Sequence, residues 1–291
     1  MKILISAIHY PVCSARYIAR ALRRLGHEVR TVGPATGNVI WGMEVDPRWN
    51  WEPSYHLGDA ERVAFGTWPP ELMITADSAY TIPNGYCPHI IWGMDNHVRD
   101  YWPDRKFDKL FLSHSWGARM CEPNAYWLPA AYDPEAHTDL GQERDIDIGL
   151  MGMLYNDRVD YLNAMVGADL KIYGNLGALW DDYNSICNHF KIAFVKSVCG
   201  DLTQRFLEGM AQGCCVLADS VADAYKLGFI PGVDYLCYDS IPDAIAKAKR
   251  ALESGAWKDI AARGKEKVRP HTWDARAAEM LRVVNGLPVV L

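Results

Sequence analysis

The sequence predicts an α/β protein made of two Rossmann-like halves, each with a parallel sheet. Three observations carry the prediction. The chain opens β-α-β: Ile3 to Ile8 reads as a strand, Cys13 to Leu25 as a helix stopped by Gly26, and Glu28 to Val32 as a second strand. Short apolar runs bounded by turn residues then recur, and a second strand-helix succession begins at Ile146. With 291 residues the chain exceeds the comfortable size of one core, so two domains of about 140 residues are the natural division.

Taken in order, Gly33 to Pro70 is rich in Gly, Pro and Trp and shows little periodicity, which predicts a long, loop-bearing excursion. Strands are expected at Leu72 to Thr75, His89 to Trp92, Lys109 to Leu112 and Ala125 to Leu128. The polar run His137 to Asp145 is expected as the interdomain linker. This gives a first domain at 1–138 and a second at 145–275. The second begins with the strand Ile146 to Met151, a loop Gly152 to Arg158, the helix Val159 to Val166, and strands at Leu170 to Tyr173 and Lys191 to Val195. Next comes a helix capped by Asp201 or Thr203, with Leu202, Phe206, Leu207, Met210 and Ala211 on its core side and Gly213 as its stop. It runs directly into the strand Cys214 to Ala218, and a further helix follows from Ile241 to Leu252.

Composition excludes several classes. Apolar residues make up 49% and charged residues 23%, without low-complexity tracts, as in a soluble globular protein. The apolar runs fall far short of the ~20 residues that a membrane span needs, and Met1 leads straight into a strand without a charged leader. A cytoplasmic protein without membrane insertion is expected. Eight cysteines form no C-x-x-C pair and nine histidines show no H-x-x-x-H spacing, so structural zinc and zincin chemistry are not expected. A net charge of −6 offers no overall attraction to nucleic-acid phosphates.

The helix after Asp201 has a chemical polar face, with Asp201, Arg205 and Glu208 on one stripe. A helix start with free N–H groups and an arginine suits a diphosphate, and a carboxylate two turns on suits ribose hydroxyls. The same spacing also reads as a solvated ion pair between Arg205 and Glu208. The run R-F-L-E-G-M-A-Q-G-C-C-V-L-A-D resembles the E-A-M-A-x-G-x-P-V-V signature of the carboxyl-terminal domain of GT-B glycosyltransferases, especially the CgeB-like subgroup. Gly232-Val233-Asp234-Tyr235-Leu236, the helix from Ile241, Ala262-Arg263-Gly264 and His271-Thr272-Trp273 follow in that family's order, so the resemblance spans about Asp145 to Leu281. It departs at Gly200, where the retaining motif has a second glutamate, and at Cys215, where the family has proline.

The resemblance implies the GT-B fold, two Rossmann-like domains facing a central cleft, with residues 276–291 packing back on the first domain. It further implies sugar transfer from a nucleotide diphosphate to a hydroxyl acceptor, with a UDP-sugar as the leading co-substrate and neither metal nor other cofactor. Donor-binding candidates are Gly152, Arg158, Tyr173, Gly174, Lys196, Asp201, Leu202, Thr203, Arg205 and Glu208. Ligands in open parallel sheets bind beyond the carboxyl ends of strands. That places His9, Asp77, Asp95 with His97, and His114 at one cleft, with His9, Asp77, Trp92 and His114 taken as acceptor-binding candidates. The segment I-I-W-G-M-D-N-H-V resembles the place where related enzymes carry an acidic or histidine side chain that meets the donor sugar, which implies Asp95 with His97 as catalytic candidates, Asp95 serving as general base. Asp95 equally suits the cap of a helix from Asn96 to Tyr101, and a histidine at any of these places is equally a hydrogen-bonded structural residue. Asp145-Ile146-Asp147 has the form of a metal-binding D-x-D, but it precedes its strand rather than following it.

Eight of the eleven tryptophans lie before residue 130, several in the Gly33 to Pro70 region. Exposed there, they would stack on a sugar or an unpaired base. The acceptor classes left open are a glycan, a small molecule and a hydroxymethylated base flipped from DNA, for which Arg48, Arg99, Arg105, Lys106 and Lys109 would meet phosphates. Two rival readings are a nucleotide-sugar-binding protein without turnover and a sugar-nucleotide epimerase of the same fold. Oligomeric state has no signature in the sequence.

Overall fold

The computed structural model describes residues 1–7, 9, 12–33, 39–40, 43–44, 68–76, 87–95, 107–120, 125–154, 157–175 and 177–286. Two compact units emerge, one of Met1–Pro129 with Trp273–Leu291 and one of Ala130–Thr272. Most of the Gly33 to Pro70 excursion lies outside the described residues.

The first unit contains β1 (Lys2–Ser6), α1 (Ser14–Arg24), β2 (Glu28–Val32), β3 (Val39–Ile40), β4 (Met43–Glu44), β5 (Leu72–Ala76), β6 (His89–Gly93), β7 (Lys109–Leu112), α2 (Ser115–Met120) and β8 (Ala125–Trp127). Strands β3 and β4 form a small antiparallel pair. The others make one parallel sheet ordered β2-β1-β5-β6-β7-β8. Every residue of β5 and β6 is buried, as expected of parallel strands covered on both faces. The last helix of the chain, Trp273–Val284, completes this unit. Its Trp273 is fully buried, stacked on Tyr17 of α1 at 6.0 Å and tilted against Trp92 at 5.9 Å. Asp274 accepts both guanidinium branches of Arg24, at 2.7 and 2.9 Å, and buried Arg276 donates to the Pro129 carbonyl at 3.1 Å. That burial pulls the Arg276 guanidinium down to about 10, against the opposing pull of Glu279.

The second unit contains β9 (Ile146–Met151), α3 (Arg158–Gly167), β10 (Ile172–Asn175), α4 (Trp180–Cys187), β11 (Phe190–Val195), α5 (Gln204–Ala211), β12 (Cys215–Asp219), α6 (Ala222–Lys226), β13 (Leu236–Tyr238), α7 (Ile241–Ser254) and α8 (Trp257–Val268). Its sheet is parallel, in the order β10-β9-β11-β12-β13. The core includes Ile148, Met165, Ile192, Phe194, Leu217, Tyr238 and Ala244, with the Tyr238 hydroxyl bonded to the Val195 carbonyl at 3.0 Å. Helix α5 ends as its sequence requires, with Gly213 N bonded to Met210 O and Cys214 N to Gly209 O. Its Phe206, Leu207, Met210 and Ala211 are buried, the side the pattern assigned to the core.

Two boundaries differ from expectation. The strand foreseen at Leu170 lies at Ile172–Asn175, because Asp169 takes φ 60° and Leu170 N bonds back to Met165 O, using both residues to end α3. The polar run from His137 belongs to the second unit rather than forming a linker. Thr138 N and Leu140 N are bonded to the side chains of Asn184 (3.0 Å) and Asn188 (2.7 Å), both buried. Arg144 donates to the carbonyls of Phe190 and Gln212. Among the described residues, no helix is long and apolar enough to cross a membrane.

Candidate active site

In the second unit β9 lies between β10 and β11, so the connections after β9 and β11 leave toward opposite edges of the sheet and open a crevice beyond their carboxyl ends. Gly152 follows β9 with φ 138°. A Cβ there would stand 2.6 Å from Arg205 Nη1 and 3.1 Å from Cζ. Glycine is required both by the backbone angle and by the guanidinium lying over it. Arg205 is partly buried and has neither a hydrogen-bond nor an ion-pair partner among the described residues. The foreseen ion pair with Glu208 does not form.

After β11 the chain turns into α5 through a loop held by two carboxylates. Asp219, at the end of β12, accepts from Ser197 N at 2.8 Å, from the Ser197 hydroxyl, and from Lys196 Nζ at 3.3 Å. Asp201 is buried and its Oδ1 accepts from Val198 N at 2.7 Å and Cys199 N at 3.0 Å. Its role here is to shape the loop. Leu202 is buried in the core. Thr203 is the N-cap of α5 but its hydroxyl makes no cap bond, and its Oγ1 is buried without a hydrogen-bond partner. A cation without a partner among the described residues thus lies over Gly152 at the switch point, one residue inside the start of α5. That combination suits an anion rich in acceptor oxygens.

Two other basic candidates are engaged with the protein. Arg158 is 2% exposed and donates to the carbonyls of Met153 (3.0 Å) and Lys196 (2.7 Å), which ties the loop after β9 to the end of β11. Lys196 also lies 3.7 Å from Asp157. Tyr173 packs its ring against Phe190 at 5.7 Å, and its hydroxyl receives Asn175 Nδ2 at 3.1 Å. Gly174 is exposed, and a Cβ on it would approach Leu162 Cδ1 at 3.2 Å.

Glu208 is 6% exposed and sits in a polar network that periodicity did not reveal. Oε2 accepts from the Tyr183 hydroxyl at 2.7 Å, and Oε1 accepts from Gln204 Nε2 at 2.6 Å and faces His137 Nε2 at 3.2 Å. Burial, then the Glu208 charge, drives the Tyr183 phenol well above its ordinary range, so it stays a donor. Sequence reasoning missed His137, Tyr183 and Asp219. Asp219 follows a predicted strand and the strand-exit rule reaches it; the other two come from distant segments with no local signal.

In the first unit Asp95 is exposed just beyond β6. The adjacent exit is tied to it through Ser113, whose hydroxyl donates to Met94 O at 2.6 Å and whose amide donates to Gly93 O at 3.0 Å. His114 is 3% exposed, its ring parallel to the half-exposed Trp116 at 6.0 Å. His9 is buried, bonded through Nε2 to Val32 O at 3.1 Å, and burial lowers its pKa. Trp92 does not face a ligand: it is fully buried between Phe111 and Trp273, because both faces of β6 are covered. Asp77, His97 and the helix foreseen from Asn96 to Tyr101 lie outside the described residues. Asp145 and Asp147 lie at the amino end of β9, bound to Lys171, His189 and Lys191.

Comparison with known proteins adds the following. A family described as glycosyl transferase-like matches residues 158–282, which include β11, α5 and β12. No curated protein matches the chain. Among solved structures, HepE from Anabaena in complex with UDP-glucose has a TM-score of 0.69 at 9% identity, over 99% of this chain and 100% of that one. A glycosyltransferase from Rickettsia africae has a TM-score of 0.69 at 11% identity, over 98% of each chain. Sucrose-phosphate synthase from Thermosynechococcus elongatus gives 0.65 at 12%, also over 98% of each. At such identities the likeness is one of fold.

Proposed function

We propose that this chain, which has the GT-B fold and whose residues 158–282 match a glycosyl transferase-like family, is a glycosyltransferase that moves a sugar from a nucleotide diphosphate to a hydroxyl acceptor, with the diphosphate seated on the second unit. The carrying observation is the unpartnered Arg205 guanidinium over Gly152 at the β9–β11 switch. When the acceptor oxygen attacks the anomeric carbon, the bond from that carbon to the phosphate oxygen breaks and negative charge gathers on the leaving diphosphate. Arg205 and the first turn of α5 would meet that charge with fixed donors. Asp95, exposed beyond β6, is the group we assign to take the acceptor's proton. Glu208 is assigned to the donor's ribose.

UDP-sugars are the first donors to try, since HepE was solved with UDP-glucose. Donor hydrolysis and transfer should be measured across UDP-, GDP- and dTDP-sugars, with Glu208→Ala as control and with EDTA present and absent. The reading expects turnover of one donor class, a loss in the variant, and activity that survives EDTA. Equal activity in Glu208→Ala would remove the site assignment, and isomerisation of a donor without acceptor would favour an epimerase.

A further inference from the structure

Glu208 has more protein donors than a carboxylate needs merely to be buried. A carboxylate offers about four lone-pair sites; Gln204 donates to Oε1 and Tyr183 to Oε2, and His137 Nε2 stands in ion-pair contact with Oε1 at 3.2 Å. With Oε1 approached from two sides, the place left for a ligand hydroxyl is on Oε2. Which way that place points depends on what holds the carboxylate. Gln204 stands four residues earlier on the same helix and travels with Glu208, so it cannot fix the carboxylate against the rest of the unit. Tyr183 of α4, on Oε2, and His137, on Oε1, can.

His137 comes from the segment before β9 and is itself immobilised. It is 3% exposed, its amide donates to Asp133 O at 2.9 Å, and its Nδ1 accepts the Asp133 amide at 3.0 Å. Asp133 in turn accepts from the amides of Glu135 and Ala136 through Oδ1. An imidazole that accepts at Nδ1 carries its proton on Nε2, and Nε2 faces Glu208 Oε1 at 3.2 Å. The Tyr183 ring meets the imidazole edge-on at 5.8 Å and 82°, closing the other side.

We infer that His137 is a positioning residue for the donor nucleotide: its Nε2, 3.2 Å from Glu208 Oε1, acts with Tyr183 to set the carboxylate so that the open place on Oε2 is presented to a ribose hydroxyl. This rests on reading α5 as the donor helix. His137 touches Glu208 and not the ligand.

Two variants separate the two nitrogens. In His137→Gln the side-chain amide places an N–H donor where Nε2 stands; in His137→Asn the amide oxygen replaces the Nδ1 acceptor and the donor to Glu208 is lost. UDP binding to the full chain is measured by calorimetry, with thermal unfolding as the check on folding. His137→Asn is expected to weaken UDP by about tenfold, the usual scale for losing a hydrogen bond to a charged group, while His137→Gln stays within about twofold. The reverse order, or equal effects, overturns the inference and leaves His137 as a turn residue only. Should His137→Asn not fold, His137→Gln decides alone, and a tenfold loss in it contradicts the inference. Glu208→Ala is run alongside. If that variant keeps wild-type UDP affinity, the donor reading itself fails; if it loses affinity while His137→Asn does not, only the role of His137 fails.

Discussion

In both units the first strand lies between the second and the third, β1 between β2 and β5, β9 between β10 and β11, so each sheet opens a crevice at its switch point. What closes on the first strand's exit differs. In the first unit Gly33, with φ 131°, lets backbone approach: a Cβ there would lie 1.9 Å from Ala7 O. The neighbouring space is taken by His9, buried and bonded to Val32 O. In the second unit Gly152 admits a charged side chain instead, and Arg205 lies over it without a hydrogen-bond or ion-pair partner among the described residues. One topology thus brings backbone to the glycine in one unit and a guanidinium to it in the other.

The largest effect is expected in the first unit. If Trp92 is core, Trp92→Ala lowers stability by about 3–5 kcal/mol, read as a fall in the denaturation midpoint. A variant of unchanged stability with a raised acceptor KM would return Trp92 to the acceptor site. Next comes the glycine itself. Gly152→Ala combines a backbone angle that costs about 1–3 kcal/mol for a side chain with a collision against Arg205. It should lose both stability and donor affinity, whereas Gly33→Ala should lose stability without a change in UDP affinity. Equal loss of UDP affinity in both would erase the contrast between the two exits.

The smallest effect concerns His9. Burial holds its folded pKa below the ordinary 6.5, so below about 6.5 the unfolded chain binds a proton that the folded chain refuses. Its contribution is complete above that pH and is lost as pH falls to and through the lower folded value. His9→Gln keeps an N–H donor for Val32 without titrating. The melting temperature of the variant should therefore fall less than that of the wild type between pH 7 and about 5; parallel curves would contradict a buried neutral imidazole.

Local pattern made much of this legible. The strand-helix alternation, the core side of α5 and its Gly213 stop follow from periods of two and 3.6 and from turn chemistry. The strand-exit rule pointed to Gly152 and the polar stripe of α5 to Arg205, and the two lie together. Local pattern failed where partners are remote in sequence. Arg205 and Glu208 share a helical stripe, yet Glu208 is claimed by Tyr183 and His137, 25 and 71 residues away by subtraction from position 208. Arg158 carries the charge a phosphate wants, but loop closure spends it on two carbonyls. Trp92 stands near the carboxyl end of its strand but is fully buried, because β6 is covered on both faces.

The central claim is that the diphosphate is held by Arg205 at the β9–β11 switch. Calorimetric titration of UDP into the full chain and into Arg205→Ala tests it most directly. The account predicts binding by the wild type and a loss of about tenfold or more in the variant, with the melting temperature little changed. The same Kd in both proteins would contradict it.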